Sequence, residues 1–144
     1  MCISDIDQEI SDIDWFAADK DGRILHLASA GGVLPESVAA SQQNLLLLHQ
    51  YFLELPEAGT AIMAIEPKSG IRYDSFLRYA RRGLYSFDKV DLHNRLDSRY
   101  QLVARPAVPL LLTELPPELA QLLHRTQLPG SVANLAGLQV ADIT

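Results

Sequence analysis

Four histidines, one thiol and a run of N-terminal carboxylates are the groups of this 144-residue chain with reactive chemistry to offer. A metal centre needs several ligands converging at short, regular spacing. His26, His49, His93 and His124 stand far apart, with no H-x-x-x-H or H-E-x-x-H pattern, and the lone Cys2 excludes an internal disulfide or a multi-thiolate site. Asp12, Asp14, Asp19 and Asp21 do not match the calcium loop D-x-[DN]-x-[DN]-G with its distal Glu. No metal or cofactor is expected. Nucleophilic catalysis needs a hydroxyl or thiol beside a base, and no G-x-S-x-G elbow occurs. Cys2 lacks the positive surroundings that favour a thiolate. The sequence therefore predicts no catalytic residue and no enzyme.

Weaker signals point to binding. Ser29-Ala30-Gly31-Gly32 precedes a helix start, where backbone amides can receive an anion. The full phosphate-loop patterns are missing, and a tight strand-to-helix turn explains two glycines equally well. His26, in mid-strand, reads as a hydrogen-bonded, partly buried side chain. The Gly31–Gly32 loop with His26 and Arg23 is where a small-molecule or enzymatic site would be sought. Asp5, Asp7, Glu9 and Asp12 form an acidic stretch suited to a basic partner. Arg72, Arg78, Arg81 and Arg82 lie close together with Tyr73, Phe76 and Tyr79 interleaved, and arginine and aromatic residues are enriched at binding hot spots. The competing explanation is an amphipathic helix whose Phe76, Leu77 and Ala80 pack inward while the arginines snorkel or pair with acids.

Charge is unevenly spread. Residues 1–66 hold eleven acids and two bases, whereas residues 68–105 hold four acids and nine bases. Such segregation permits pairing within the fold or with a partner. The net charge of −6 argues against nucleic-acid binding by the whole molecule, since phosphate neutralisation needs a basic face. No apolar run approaches the roughly 20 residues of a membrane helix. The acidic N-terminus lacks the basic and apolar regions of a secretory signal, so a cytoplasmic location is expected.

The elements that must position these groups read as one α+β domain over residues 1–144, with residues 1–11 a mobile acidic segment. Asp14–Ala18 and Arg23–Ser29 are strands of a hairpin: Asp19 and Asp21 cap local amides and Gly22 supplies positive φ. Pro35 and Glu36 open a helix running to about Glu54, with Val38, Leu45, Leu48, Phe52 and Leu55 as its core stripe. Leu46, Leu47, Tyr51 and Leu53 widen its apolar surface, so it is covered on two sides or meets a partner, a second copy included. Thr60–Ile65 is a strand or a helical turn, and Asp74–Arg82 a short helix stopped by Gly83. Leu84–Val90 and Tyr100–Arg105 are strands, Leu115–His124 a last helix, and Leu138–Ile143 a final strand. The sum is a mostly antiparallel sheet of about four to six strands with two or three helices on one side.

Asp14-Trp15-Phe16-Ala17 with Asp19, Gly22, His26, Ser29, Gly31 and Leu34-Pro35-Glu36-Ser37 forms one block of a recognisable pattern. Gly83-Leu84-Tyr85-Ser86-Phe87-Asp88, Tyr100-Gln101-Leu102-Val103-Ala104, Pro109-Leu110 and Leu115-Pro116 complete it. Over roughly residues 12–125 the chain resembles an uncharacterised family of small bacterial cytosolic proteins, similar to the immunity-type proteins encoded beside polymorphic toxins. The resemblance implies a common fold and a toxin-binding role, and it carries over no catalytic residue. The contacts expected are Asp5, Asp7, Glu9, Asp12, Arg72, Arg78, Tyr79, Arg81 and Arg82. The functions to weigh are a non-catalytic protein-binding domain, a small-molecule or enzymatic domain, and a self-associating subunit.

Overall fold

Asp19 explains why the chain turns where it does. In a computed structural model describing all 144 residues, its Oδ1 accepts from the amides of Asp21 and Arg23 at 2.9 Å each, and Gly22 takes φ +83°. The turn joins β1 (Asp14–Ala18) to β2 (Ile24–Ala28), antiparallel, with Phe16 opposite His26. Asp19 does more than form the turn: its Oδ2 also accepts from the Val132 amide at 2.9 Å, pinning the C-terminal region beneath the hairpin.

Residues 1–11 pack against the rest of the fold. They contain α1 (Asp5–Ile10), capped by Ser4, whose Oγ accepts from the Asp7 amide. Ile3 is buried, its amide donating to the Ala39 carbonyl at 2.7 Å. Gln8 is buried too: its Nε2 donates to the Ile3 carbonyl and its Oε1 accepts from the Leu34 amide, both at 3.0 Å. Burial of Ile3 and a fully bonded Gln8 offset the ordering of this short helix.

The single helix expected from Pro35 to Glu54 is two: α2 (Glu36–Ala39) and α3 (Gln42–Glu54). The break falls at Ser41, which leaves helical geometry and caps α3 by accepting from the Asn44 amide at 3.2 Å. Leu45, Leu48 and Phe52 are buried as the stripe requires, while Leu46, Leu47 and Leu53 remain exposed. The helix is nonetheless covered on two sides, by β1 and by the later helix at Pro117–His124.

Next come β3 (Ala61–Met63), α4 (Asp74–Arg81), β4 (Tyr85–Lys89), β5 (Arg99–Pro106), α5 (Pro117–His124) and β6 (Gly137–Gln139). Gly83 ends α4 at φ +95°, and a Cβ there would lie 2.6 Å from Leu110 atoms, so both space and backbone demand glycine. The fold is α+β, as the sequence indicates. The sheet runs β1-β2-β4-β5-β3, with β6 also on β5, and every pairing is antiparallel except β2 with β4. β4 fills one edge of β5, so β3 and β6 share the other, end to end. Five helices form rather than two or three, because α1 is ordered and the long helix is divided. α3 and α4 cover the face carrying Phe16 and His26, through Phe52 and Tyr79. Trp15 and Tyr100 meet edge-to-face on the other, their rings 5.8 Å apart. No helix is long and apolar enough to cross a membrane.

Candidate functional site

Hairpin register puts Asp14, Phe16 and His26 on one face, and the parallel pairing of β2 with β4 sets Ser86 beside His26. The result is a chain of polar side chains. Asp14 Oδ1 lies 2.8 Å from His26 Nε2, and His26 Nδ1 lies 2.7 Å from Ser86 Oγ. His49, from α3, brings its Nε2 within 3.5 Å of the second Asp14 oxygen. α4 closes the site, laying the Tyr79 ring on the imidazole at 3.7 Å and 16°.

Electrostatics fix the protons. Burial pushes His26 below its ordinary value, against the pull of Asp14, and keeps the ring neutral. Burial alone would raise Asp14, but the hydrogen bonds it accepts from His26 and His49 hold its carboxyl well below the usual range. An ionised carboxylate only accepts, so His26 Nε2–H donates to Asp14, leaving Nδ1 to accept from the Ser86 hydroxyl. Acid, base and hydroxyl thus stand in the order of a nucleophilic triad, with the two ring nitrogens exchanged relative to the serine-protease arrangement. Ser86 is fully buried, however, and neither it nor His26 lines the groove beside Asp14. As it stands, the chain orients and satisfies buried polar groups and presents no nucleophile.

Two concavities flank α1. One, of about 360 Å³, is lined by Asp7, Asp12, Asp14 and His49 over an apolar floor that includes Ile3 and Leu45. The other, of about 280 Å³, includes Asp5, Glu9, Gly31, Gly32 and Arg95. The four acids expected to meet a partner are therefore gathered around one docked helix. Asp12 accepts from the Ala30 amide, Glu9 pairs with Arg95 at 2.8 Å, and Asp5 and Asp7 carry no salt bridge. On the same helix Ile6 and Ile10 are 69% and 74% exposed.

The basic candidates fare differently. Tyr79, expected among the contact residues, is only 3% exposed, because its ring is the lid on His26. Arg82 is withdrawn as well: its Nε donates to the Leu55 carbonyl at 2.9 Å and its guanidinium lies near the Tyr79 ring. Arg81 pairs with Glu57 at 3.3 Å. These contacts tie α4 to the end of α3, the pairing with acids that an amphipathic helix predicts. Arg72, exposed and 3.4 Å from Asp74, and Arg78, also exposed, remain on the surface. The acidic and basic candidates do not converge. Of the remaining histidines, His93 and His124 are exposed, and no group of His, Cys, Asp and Glu is placed to hold a metal ion.

Sequence reasoning weighed Asp14 and His49 only as metal ligands and set them aside, and it missed Ser86 and Lys89. Lys89, on β4, is buried with an unpartnered Nζ. Alternation along the hairpin from Gly22 was enough to bring Asp14 to His26; nothing local pointed to Ser86. Compared with known protein families, curated proteins and solved structures, the chain matches none.

Proposed function

We propose that this chain is a non-catalytic, cytoplasmic binding protein that offers the acidic face of α1 to a basic protein partner, in the manner of an immunity-type protein neutralising a bacterial toxin. The observation that carries the reading is the docked helix itself. It sets Asp5, Asp7, Glu9 and Asp12 around the exposed Ile6 and Ile10, with Arg95 as the only salt-bridge partner among them. Apolar anchors inside a charged rim are the makings of an interface, and the charge speeds encounter with a basic cleft. Nucleic acid, itself anionic, is disfavoured at such a face.

The test is affinity capture from the native host with two baits, the wild type and a variant carrying Asp5→Asn, Asp7→Asn, Glu9→Gln and Asp12→Asn. The expected result is one stoichiometric basic protein, retained by the wild type, released by salt and lost with the variant. Capture of nothing, or of a protein indifferent to the four substitutions, would refute the reading.

One observation favours an enzymatic alternative, the acid–base–hydroxyl order of Asp14, His26 and Ser86. A fluorophosphonate probe decides it. Labelling of Ser86 in the native protein, lost in His26→Ala, would establish a reactive serine; the burial of Ser86 predicts none.

A further inference from the structure

We propose that the Gly31–Gly32 loop, with the Lys89 ammonium behind it and Arg95 on its rim, binds a phosphate group. Of three lysines, Lys20 and Lys68 are exposed, while Lys89 is 1% exposed and its Nζ meets no hydrogen-bond partner. An ammonium sealed off without an acceptor is a costly arrangement, several kcal/mol in a typical interior. Here the seal is thin. A Cβ on Gly32 would sit 2.9 Å from both Nζ and the Ser29 carbonyl oxygen, so the glycine lets loop and amine lie close together. Gly32 in turn lines the 280 Å³ concavity, which Arg95 lines as well.

Arg95 thus lines a hollow with room for a phosphate ester, and the Lys89 ammonium lies behind the Gly32 that lines it too. Asp5 and Glu9 also line it and oppose an anion. Glu9 is committed to Arg95 at 2.8 Å, so its carboxylate already occupies the position that phosphate oxygens would take. Binding is then an exchange, in which phosphate displaces Glu9 from Arg95 and gains Lys89. Burial pushes the Lys89 ammonium below its ordinary value, against a weaker attraction from Asp97 and Asp91, and Asp97 is bound to Arg99 at 2.8 Å. The loop contributes shape rather than free amides: Ala30, Gly31 and Gly32 donate to Asp12, Ser11 and Ser29. Recognition by two side-chain cations distinguishes this site from a phosphate loop. It shares Asp5 and Glu9 with the partner-binding face of α1, but the phosphate readout requires no protein partner.

Inorganic phosphate, titrated at constant ionic strength against chloride, is the probe, with thermal unfolding as the readout. The wild type is expected to gain stability saturably. Lys89→Met is expected to fold with an unliganded midpoint at or above that of the wild type and to bind phosphate at least about ten-fold more weakly. Glu9→Gln, a surface change that releases Arg95, is expected to tighten binding several-fold. A wild type responding to phosphate no more than to chloride overturns the proposal, as does an undiminished response in Lys89→Met. Should Lys89→Met fail to fold, Glu9→Gln decides alone: phosphate affinity equal to the wild type's overturns it.

Discussion

Strand β4 carries two buried polar side chains three residues apart, Ser86 and Lys89, and so on opposite faces of the sheet. Ser86 ends a chain in which His26 has a partner on both nitrogens and Asp14 accepts from two histidines. The Lys89 ammonium has no hydrogen-bond partner. The difference separates two uses of buried polarity. A satisfied network rigidifies the structure and is indifferent to ligands, whereas an orphaned charge leaves free energy to be recovered by something that binds.

Breaking the satisfied side should have the largest effect. His26→Ala strips Asp14 and Ser86 of their partner and opens a cavity under Tyr79, and is expected to cost about 3 kcal/mol in a denaturant titration. Acid attacks the same network. His26 is held neutral in the fold but charges in the unfolded chain below its ordinary 6.5, so protons favour unfolding and stability is lost as pH falls through that value. Asp14, depressed in the fold, adds a second loss as pH falls below its ordinary 3.8. In an Asp88→Asn background, which removes the opposing titration of that carboxyl, thermal midpoints measured from pH 7 to pH 3 should decline in both windows, and adding His26→Ala should flatten the upper one.

Smaller changes sharpen the contrast. Ser86→Ala leaves His26 Nδ1 without a donor and should cost about 1 to 2 kcal/mol. Asp88, on the same strand, is pushed up to about 6 mainly by burial, opposed by its bond from the Lys89 amide. Its burial penalty is present above that value and relieved as pH falls toward 4. Asp88→Asn, which keeps the acceptor, should therefore stabilise at pH 7 by about 1 kcal/mol once solvent screening of a partly exposed group is allowed for. The gain should vanish at pH 4. Tyr79→Phe is the mildest. The Tyr79 hydroxyl is buried without a partner, so removing it while keeping the stack on His26 should leave stability unchanged or raised by under about 1 kcal/mol.

Local chemistry made part of this legible in advance. The β1–β2 hairpin followed from Asp19 and Gly22, and the core stripe of α3 from the spacing of Leu45, Leu48 and Phe52. The division at Ser41 was written as a cap, a serine three residues before Asn44, but lay inside an unbroken apolar periodicity. The docking of α1 depends on Gln8 finding two backbone groups at Ile3 and Leu34, which no pattern within residues 1–11 encodes. The site was less legible still. Ser86 lies 60 residues from His26 and reaches it only through the one parallel pairing, and Lys89, though alternation sets it on the face of Tyr85 and Phe87, carries no local sign that its ammonium is left without a partner. Tyr79 and Arg82 show the converse: residue types suited to an interface were taken up by interior packing.

The shared outer edge of β5 has a consequence for how the molecule avoids its own kind. β3 covers Ala104–Pro106 and β6 covers Arg99–Gln101, and the intervening backbone is closed by the Ala136 carbonyl on the Leu102 amide and the Ala64 amide on the Val103 carbonyl. Eight residues of template are thus blocked by two separate three-residue plugs. Removing residues 137–144 would bare half of that ladder and invite a neighbouring chain to add a strand, so the tail guards against polymerisation as well as completing the sheet.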